Sequence, residues 1–282
     1  MSDLALPGSI EPAAHKGPDL TGAVNPLTAI IFGGVIAAVL LFVAYSIYSD
    51  VDASGVTITS YAPFLLLFVA LLIALGFEFV NGFHDTANAV ATVIYTRSLP
   101  ANFAVVWSGF FNLAGVLASS GAVAFGIISL LPVELILQVG SHAGFAMVFA
   151  LLIAAIIWNL GTWLFGLPAS SSHTLVGSII GVGVTNALLH GRSGTSGVDW
   201  TKATEVGEAL LFSPLFGFLL AAGLLLVLKS VIRVPALYAE PKGNQPPPWW
   251  IRGILILTCT LVSFFHGSND GQKGMGLIML IL

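Results

Sequence analysis

The sequence has few charged residues and a single cysteine. Charged residues make up 8% of its 282 residues and hydrophobic residues 57%, whereas a soluble domain carries about 25% charged residues. This balance argues against a soluble domain and indicates a polytopic membrane protein. Nine Lys and Arg against thirteen Asp and Glu argue against a nucleic-acid partner. The lone Cys259 argues against a disulfide framework and a cysteine-based metal site.

Apolar segments alternate with short polar stretches along most of the chain. Residues 1–26 are polar and poor in basic residues, which predicts a tail and not a cleaved signal peptide. About 20 apolar residues cross a bilayer core about 30 Å thick. Seven segments meet or approach this requirement, namely 27–48, 63–95, 101–131, 143–165, the segment ending at 189, 209–228 and 251–282. The predicted connections are loops at 49–62, 132–142 and 190–208 and a linker at 229–250.

The motif GFHDTANAVAT, at residues 82–92, interrupts the apolar segment 63–95. A charged side chain at the bilayer centre costs about 2.5–3.5 kcal/mol on insertion scales, so it usually marks a functional site. The motif and the turn before it contain two acids, Glu78 and Asp85, and three further polar residues, Asn81, His84 and Asn88. Because the segment is too long for one straight helix, a break is expected near Gly82.

A weaker copy of this motif, HGSNDGQKG, occupies residues 266–274. With Gly267 aligned on Gly82, the copy places Asn269 on His84, Asp270 on Asp85 and Lys273 on Asn88. Two polar interruptions of the same form predict an internal repeat of the kind that transporters contain.

A third polar stretch, GLPASSSHT at residues 166–174, lies between the fourth and fifth segments. Pro168 ends one helix, and the serine run begins the next with backbone N–H groups free. Such a helix start can bind an oxyanion through its N–H groups, hydroxyls and dipole. An ordinary helix cap in a surface loop explains the same pattern, and these residues do not decide between the two.

The distribution of basic residues predicts the orientation in the membrane. If each segment crosses once, two basic residues lie on one side and six on the side of the N-terminus: Arg192 and Lys202 against Lys16, Arg97, Lys229, Arg233, Lys242 and Arg252. Loops rich in Lys and Arg remain in the cytoplasm, so the N-terminus is predicted there. The second and seventh segments then run in opposite directions, as an inverted pair; a re-entrant fifth segment would remove this parity unless the long third segment also doubles back.

Taken together, the three motifs resemble the inorganic phosphate transporter (PiT) family, and specifically its bacterial low-affinity permeases. The resemblance implies an all-α polytopic membrane protein, an inverted-repeat secondary transporter with broken helices and a Ser-rich re-entrant hairpin. It implies a first repeat at 63–228, a cytoplasmic linker at 229–250 and the start of a second repeat at 251–282. The second repeat is expected to be incomplete, and 27–48 to be an extra N-terminal transmembrane helix.

The resemblance also implies symport of inorganic phosphate, coupled to protons in bacterial permeases and to sodium in other members. Divalent metal ions are expected to travel with phosphate as neutral complexes, and no cofactor or resident metal ligand is assigned. The implied phosphate-binding residues are Ser170, Ser171, Ser172, Thr174, Asp85, Asn88, Asn269 and Asp270. The implied residues for the coupling ion or proton are Asn81, His84, Asp85, Glu78, His266 and Asp270, with His173 as a further candidate proton relay.

The expected location is the inner membrane, in contact with lipids, with a homodimer as a candidate assembly. Two other function classes remain open: an anion channel with an Asp ring, and an intramembrane hydrolase using a serine, His173 and Asp85. The sequence contains neither Gly-x-Ser-x-Gly nor His-Glu-x-x-His, so an enzyme is not predicted. Saturable phosphate uptake that is coupled to an ion gradient would separate a carrier from both.

Overall fold

The structure, a computed structural model, describes residues 26–53, 55, 61–131, 135, 142–239 and 246–281. These residues form α-helices and two short 3-10 turns, at Gly194–Gly197 and Pro235–Leu237, and none of them lies in a strand. The helices are α1 (Pro26–Ala53), α2 (Ala62–Tyr95), α3 (Ala101–Leu117), α4 (Ala122–Leu130), α5 (His142–Leu164), α6 (Ser171–Leu189), α7 (Trp200–Val231) and α8 (Trp249–Ile281). The predicted all-α class is confirmed.

Most of these helices are long and apolar enough to cross a membrane. By length and composition, the described residues provide six such helices, α1, α2, α5, α6, α7 and α8, or seven crossings if α3 and α4 form one bent span. The chain is therefore a multi-pass membrane protein, as its composition predicts.

The two helices that carry the related motifs, α2 and α8, form the centre of the bundle. Helix α8 packs against α2, α3 and α4, while α2 also packs against α5, which in turn packs against α6. The main buried cluster draws on several of these helices through Phe77, Leu151, Leu175 and Leu277. By contrast, Ala203 is the one buried residue among the described residues of α7.

Two contacts show that α2 and α8 run antiparallel. A Cβ atom on Gly274 would overlap the side chain of Glu78, and Arg252 Nε donates a hydrogen bond of 2.7 Å to the carbonyl oxygen of Ser98. Residue numbers therefore rise along α2 as they fall along α8. An inverted pair of motifs requires that the two helices run antiparallel; the internal repeat itself stays a prediction.

Helix α3 lies parallel to α8 and very close to it. Neither Gly115 nor Gly267 has room for a side chain, because a Cβ on each would overlap the backbone of the other helix. Hydrogen bonds of 2.8 Å also link the two helices, from Trp107 Nε1 to Thr260 Oγ1 and from Ser263 Oγ to Ser108 Oγ. Small residues and hydroxyls are typical of such close helix pairs in membranes.

The predicted break near Gly82 is wrong. Helix α2 is continuous over 34 residues, and α8 is continuous through the second motif. No proline lies inside the motifs, and several of their polar side chains, such as those of His84, Gln272 and Lys273, bond to neighbouring helices, so the backbone need not open. A helix of this length, about 50 Å at 1.5 Å per residue, is expected to tilt or to extend beyond the hydrocarbon core.

A break occurs instead within the predicted third segment, 101–131. Helices α3 and α4 are bent by 76° relative to each other across residues 118–121. Gly121, which precedes α4, has φ of 77°, a left-handed conformation that glycine adopts without steric cost. The break in the described residues therefore lies at a place that the sequence did not predict.

Three predicted loop boundaries are also wrong. The loop 190–208 ends earlier because Asp199 caps α7, its Oδ1 accepting from Thr201 N at 3.0 Å and Lys202 N at 3.1 Å. Helix α1 continues to Ala53 in the predicted loop 49–62, and the linker 229–250 shares residues with α7 and α8. The tail before residue 26, most of the loop 132–142 and residues 240–245 lie outside the described residues.

Candidate functional site

The second motif and the serine run meet through a buried lysine. Lys273, on α8, is 3% exposed. Its Nζ lies 2.8 Å from Asp270 Oδ1, one helical turn earlier, and donates to Ser171 Oγ at 3.3 Å. Ser171 is the first residue of α6. The start of α6 therefore contacts the polar face of α8 directly.

Three carboxyl groups surround this contact. Glu78 and Asp85 come from α2, where they share a face at a spacing of seven residues, and Asp270 comes from α8. Asp270 and His266 lie within electrostatic range of Asp85, and Lys273, Asp270 and Asp85 lie within electrostatic range of Glu78. Like charges repel strongly in a low-dielectric interior, so this cluster of acids suits a cation or a proton beside Lys273.

Two acceptor oxygens on α2 are buried without a hydrogen-bond partner in the part of the chain that the structure describes. They are Glu78 Oε1 and Asn81 Oδ1, and Asn81 is 2% exposed. Leaving a buried acceptor unpaired costs about 1–3 kcal/mol, which a bound cation or a donated proton would offset. Because Gly274 has no side chain, the Glu78 side chain can occupy the space beside it.

The start of α6 combines a helix cap with one hydroxyl that faces α8. Ser170 caps the helix, since its Oγ accepts from His173 N at 3.4 Å and lies 2.7 Å from His173 Nδ1. The Thr174 hydroxyl donates to the Ser170 carbonyl at 2.9 Å. Ser172 is half-buried. Ser170 is thus the helix cap, Thr174 bonds back to the preceding turn, and Ser171 is the serine in contact with the motif on α8.

The histidines of the two motifs occupy different surroundings. His84 Nε2 donates to the carbonyl oxygen of Asn159 on α5 at 3.3 Å, and its ring packs edge-on against Phe83. His266 lies beside Asp85, and its Nδ1 is buried without a partner among the described residues. His266 is therefore the motif histidine in the neighbourhood of the carboxyl groups.

Asn88 and Asn269 are exposed. Asn269 precedes Lys273 by four residues and therefore lies on the same side of α8, one helical turn earlier. The phosphate-binding role predicted for these two asparagines stays a prediction.

Two residues of the second motif received no function from the sequence, Lys273 and Gln272. Lys273 follows Asp270 by three residues, a helical ion-pair spacing, and this spacing inside an apolar run was the available signal. Gln272 Oε1 accepts from Val123 N at 3.0 Å and from Ala124 N at 3.5 Å. Gln272 thus ties the start of α4 to α8, a contact that only the tertiary structure reveals.

An open groove of about 610 Å³ lies beside the start of α6 and is lined in part by Trp158, Pro168, Ser170, His173 and Thr174. Among the described residues, no group of three or more His, Cys, Asp and Glu side chains is arranged to hold a metal ion.

Comparison with known proteins identifies relatives for most of the chain. A model described as "Phosphate transporter family" matches residues 81–282. The low-affinity inorganic phosphate transporter PitB of Escherichia coli (strain K12) is 50% identical over 228 residues, which is 77% of this chain and 46% of PitB. The low-affinity inorganic phosphate transporter of Buchnera aphidicola subsp. Acyrthosiphon pisum (strain APS) is 48% identical over 245 residues, 83% of this chain and 48% of that protein.

The chain thus spans about half the length of these curated relatives. Their names describe transporters and not enzymes. No solved structure matches the chain.

Proposed function

Because the chain belongs to the phosphate transporter family, we propose that it takes part in the import of inorganic phosphate by secondary active transport. The relatives are named as low-affinity inorganic phosphate transporters, and the proposal extends that activity to this chain. The proposed location is the inner membrane, with the N-terminus in the cytoplasm.

The proposed organisation of the chain is a first repeat at 63–228 and the start of a second repeat at 251–282. The proposed assembly is a homodimer.

The contact between Ser171 and Lys273 is the observation that carries this proposal. It joins the start of α6, where N–H groups and hydroxyls can bind an oxyanion, to a buried cation on α8 at 3.3 Å. A phosphate ion inside a membrane protein needs such compensation, since charge at membrane depth is costly. We assign Ser171 and Ser172 as hydroxyl donors to phosphate, and Ser170 and Thr174 as residues that hold the helix start in place.

The carboxyl cluster beside this contact supports coupling to a cation. Glu78, Asp85 and Asp270 interact with one another, and Glu78 Oε1 and Asn81 Oδ1 are buried acceptors without a partner among the described residues. A proton or a sodium ion would satisfy these oxygens and balance part of the phosphate charge. We propose proton coupling, with His266 and His84 as relay candidates, and sodium coupling as the alternative. Transport of phosphate as a neutral complex with a divalent metal ion is compatible with either proton or sodium coupling.

Phosphate binding to purified protein in lipid nanodiscs tests the proposal most directly. Ser171→Ala removes the hydroxyl that faces Lys273 and should weaken phosphate binding about tenfold, the loss of one charge-assisted hydrogen bond of about 1.4 kcal/mol. Ser230→Ala is the matched control, because the Ser230 hydroxyl also donates locally, to the Val227 carbonyl at 2.8 Å, and lies on α7, far from the motifs in sequence. Equal affinity for both variants would contradict the assignment of Ser171.

Transport assays separate the proposed carrier from the other function classes. In proteoliposomes, initial rates of labelled phosphate uptake should saturate with phosphate and follow an imposed ion gradient. Flux that follows only the phosphate gradient and does not saturate would indicate a channel. Failure of the unmodified protein to bind phosphate at all would contradict the proposed function.

A further inference from the structure

We propose that Lys273 is a resident cation of the phosphate site, which binds the anion directly and replaces one cation that would otherwise be co-bound with it. The proposal rests on the proposed function and deepens it, because it identifies the residue that contributes fixed positive charge. The juxtaposition that carries it is a buried ammonium group between Asp270 of α8 and Ser171 of α6.

The hydrogen-bonding capacity of this ammonium group leaves room for a ligand. A lysine Nζ has three N–H donors, of which one faces Asp270 Oδ1 at 2.8 Å and one faces Ser171 Oγ at 3.3 Å. Since Ser171 Oγ accepts from Lys273, the hydroxyl hydrogen of Ser171 remains available. A phosphate oxygen beside Ser171 would therefore receive one donor from the serine and one from the lysine.

The comparison between the two motifs indicates what the lysine replaces. In the alignment on Gly82 and Gly267, Lys273 occupies the position of Asn88, while the aspartate three residues earlier is present in both copies. An aspartate and an asparagine together offer oxygen ligands that suit a bound cation, and an aspartate and a lysine carry their own cation. The second motif would accordingly need one mobile cation fewer than a copy with asparagine.

Burial strengthens the electrostatic effect of the positive charge on Lys273. Lys273 is 3% exposed and forms a short ion pair with Asp270, and the acids Glu78 and Asp85 lie within electrostatic range. An anion at the start of α6 would lie close to the positive charge of Lys273. The lysine therefore supports binding of phosphate at the start of α6 in a way that serine hydroxyls alone would not.

The first arm of the test measures labelled-phosphate affinity of lysine variants in nanodiscs. Lys273→Gln should weaken binding at least tenfold, and Lys273→Arg, which keeps the charge, should recover most of that loss. The matched control is Lys202→Gln, since Lys202 also forms an ion pair three residues along its helix, with Glu205 at 2.7 Å, but is exposed and far from the motifs in sequence. An affinity for Lys273→Gln within twofold of the unmodified protein would overturn the proposal.

A second arm distinguishes phosphate binding from simple neutralisation of Asp270. Removing one partner of a buried ion pair can unfold a protein, because it leaves an uncompensated charge. The variant Asp270→Asn therefore serves as the new reference, and Asp270→Asn with Lys273→Gln lacks both charges. Binding should be at least tenfold weaker in the double variant than in Asp270→Asn. Equal binding would mean that the lysine serves only its aspartate, and would overturn the proposal.

The third arm of the test measures how many cations bind together with phosphate. The slope of the logarithm of phosphate affinity against the logarithm of cation concentration gives the number of cations linked to binding. Lys273→Asn, which reproduces the residue of the first motif, should increase this slope by about one relative to the unmodified protein, measured separately for sodium ions and for protons. An unchanged slope in both series would overturn the replacement of a cation. Absence of phosphate binding by the unmodified protein would instead contradict the proposed function.

Discussion

Asp85 lies on the face of α2 that turns toward α8, and its carboxyl group interacts with Asp270 and His266. If this carboxyl group binds the coupling cation or proton, Asp85→Asn should lower the initial rate of phosphate uptake at least tenfold. The reason is that the substitution keeps the shape of the side chain and removes its charge. Uptake in proteoliposomes, normalised to the amount of inserted protein, is the measurement.

The control for this prediction is Asp52→Asn, which removes an acid at an exposed position of α1. It should leave uptake and insertion unchanged. Uptake by Asp85→Asn at the rate of the unmodified protein would show that the carboxylate is a structural feature of the helix pair.

Single residues in the sequence predicted the polar positions well and their partners poorly. Asp85, Asp270 and Ser171 could be selected because polar residues in apolar segments are costly. In the structure, Asp270 and Ser171 both contact Lys273, and Asp85 and Asp270 lie within electrostatic range of each other. The function of Lys273 could not be derived in the same way, since its contact with Ser171 joins residues far apart in the chain. Such a pairing follows from tertiary packing, which local spacing does not contain.

At the scale of helices, the close approach of α3 and α8 depends on glycine. Gly267→Ala should destabilise the protein by about 1–3 kcal/mol, because the added methyl group would overlap the backbone of Asn112 and force the helices apart. Gly253→Ala makes the same chemical change on the same helix, where a Cβ would have no atom within 4 Å. This control should be neutral or stabilising by about 0.5–1 kcal/mol, as expected for glycine replaced by alanine inside a helix.

Thermal unfolding in detergent, followed by tryptophan fluorescence, would compare the two variants with the unmodified protein. A lower midpoint for Gly267→Ala and an unchanged or higher midpoint for Gly253→Ala is the expected result. Equal midpoints would mean that the two helices can separate at little cost.

Helix boundaries illustrate which information a sequence carries about elements. The apolar segments predicted α5 almost to the residue, since His142–Leu164 corresponds to the predicted span 143–165. The break was assigned to α2 because of its length and polarity, yet the bend lies between α3 and α4. There, Gly121 turns the chain and Gln272 from α8 binds the start of α4. A distant side chain stabilises this bend, so the local pattern of α2 and α3 could not locate it.

At the scale of the whole molecule, the antiparallel pair of α2 and α8 brings both motifs to one level of the bundle. Their contact faces carry acids from α2 and an acid with a lysine from α8. The serine-rich start of α6 reaches the same place. Elements from widely separated parts of the chain thus meet, which is how a small number of polar residues can form a compact site within an apolar protein.

The proposed coupling to an ion is a property of the whole molecule. Since the first motif contains His84 beside Asp85, and His266 lies close to the same carboxyl group, we expect protons to drive uptake. Proteoliposomes prepared without sodium should accumulate phosphate severalfold faster under an inward proton gradient than without one, and a protonophore should abolish the difference. Potassium with valinomycin, which fixes the membrane potential, is the control that separates the proton gradient from the voltage. Uptake that requires sodium and ignores the protonophore would contradict proton coupling and assign the buried oxygens of Glu78 and Asn81 to a sodium ion.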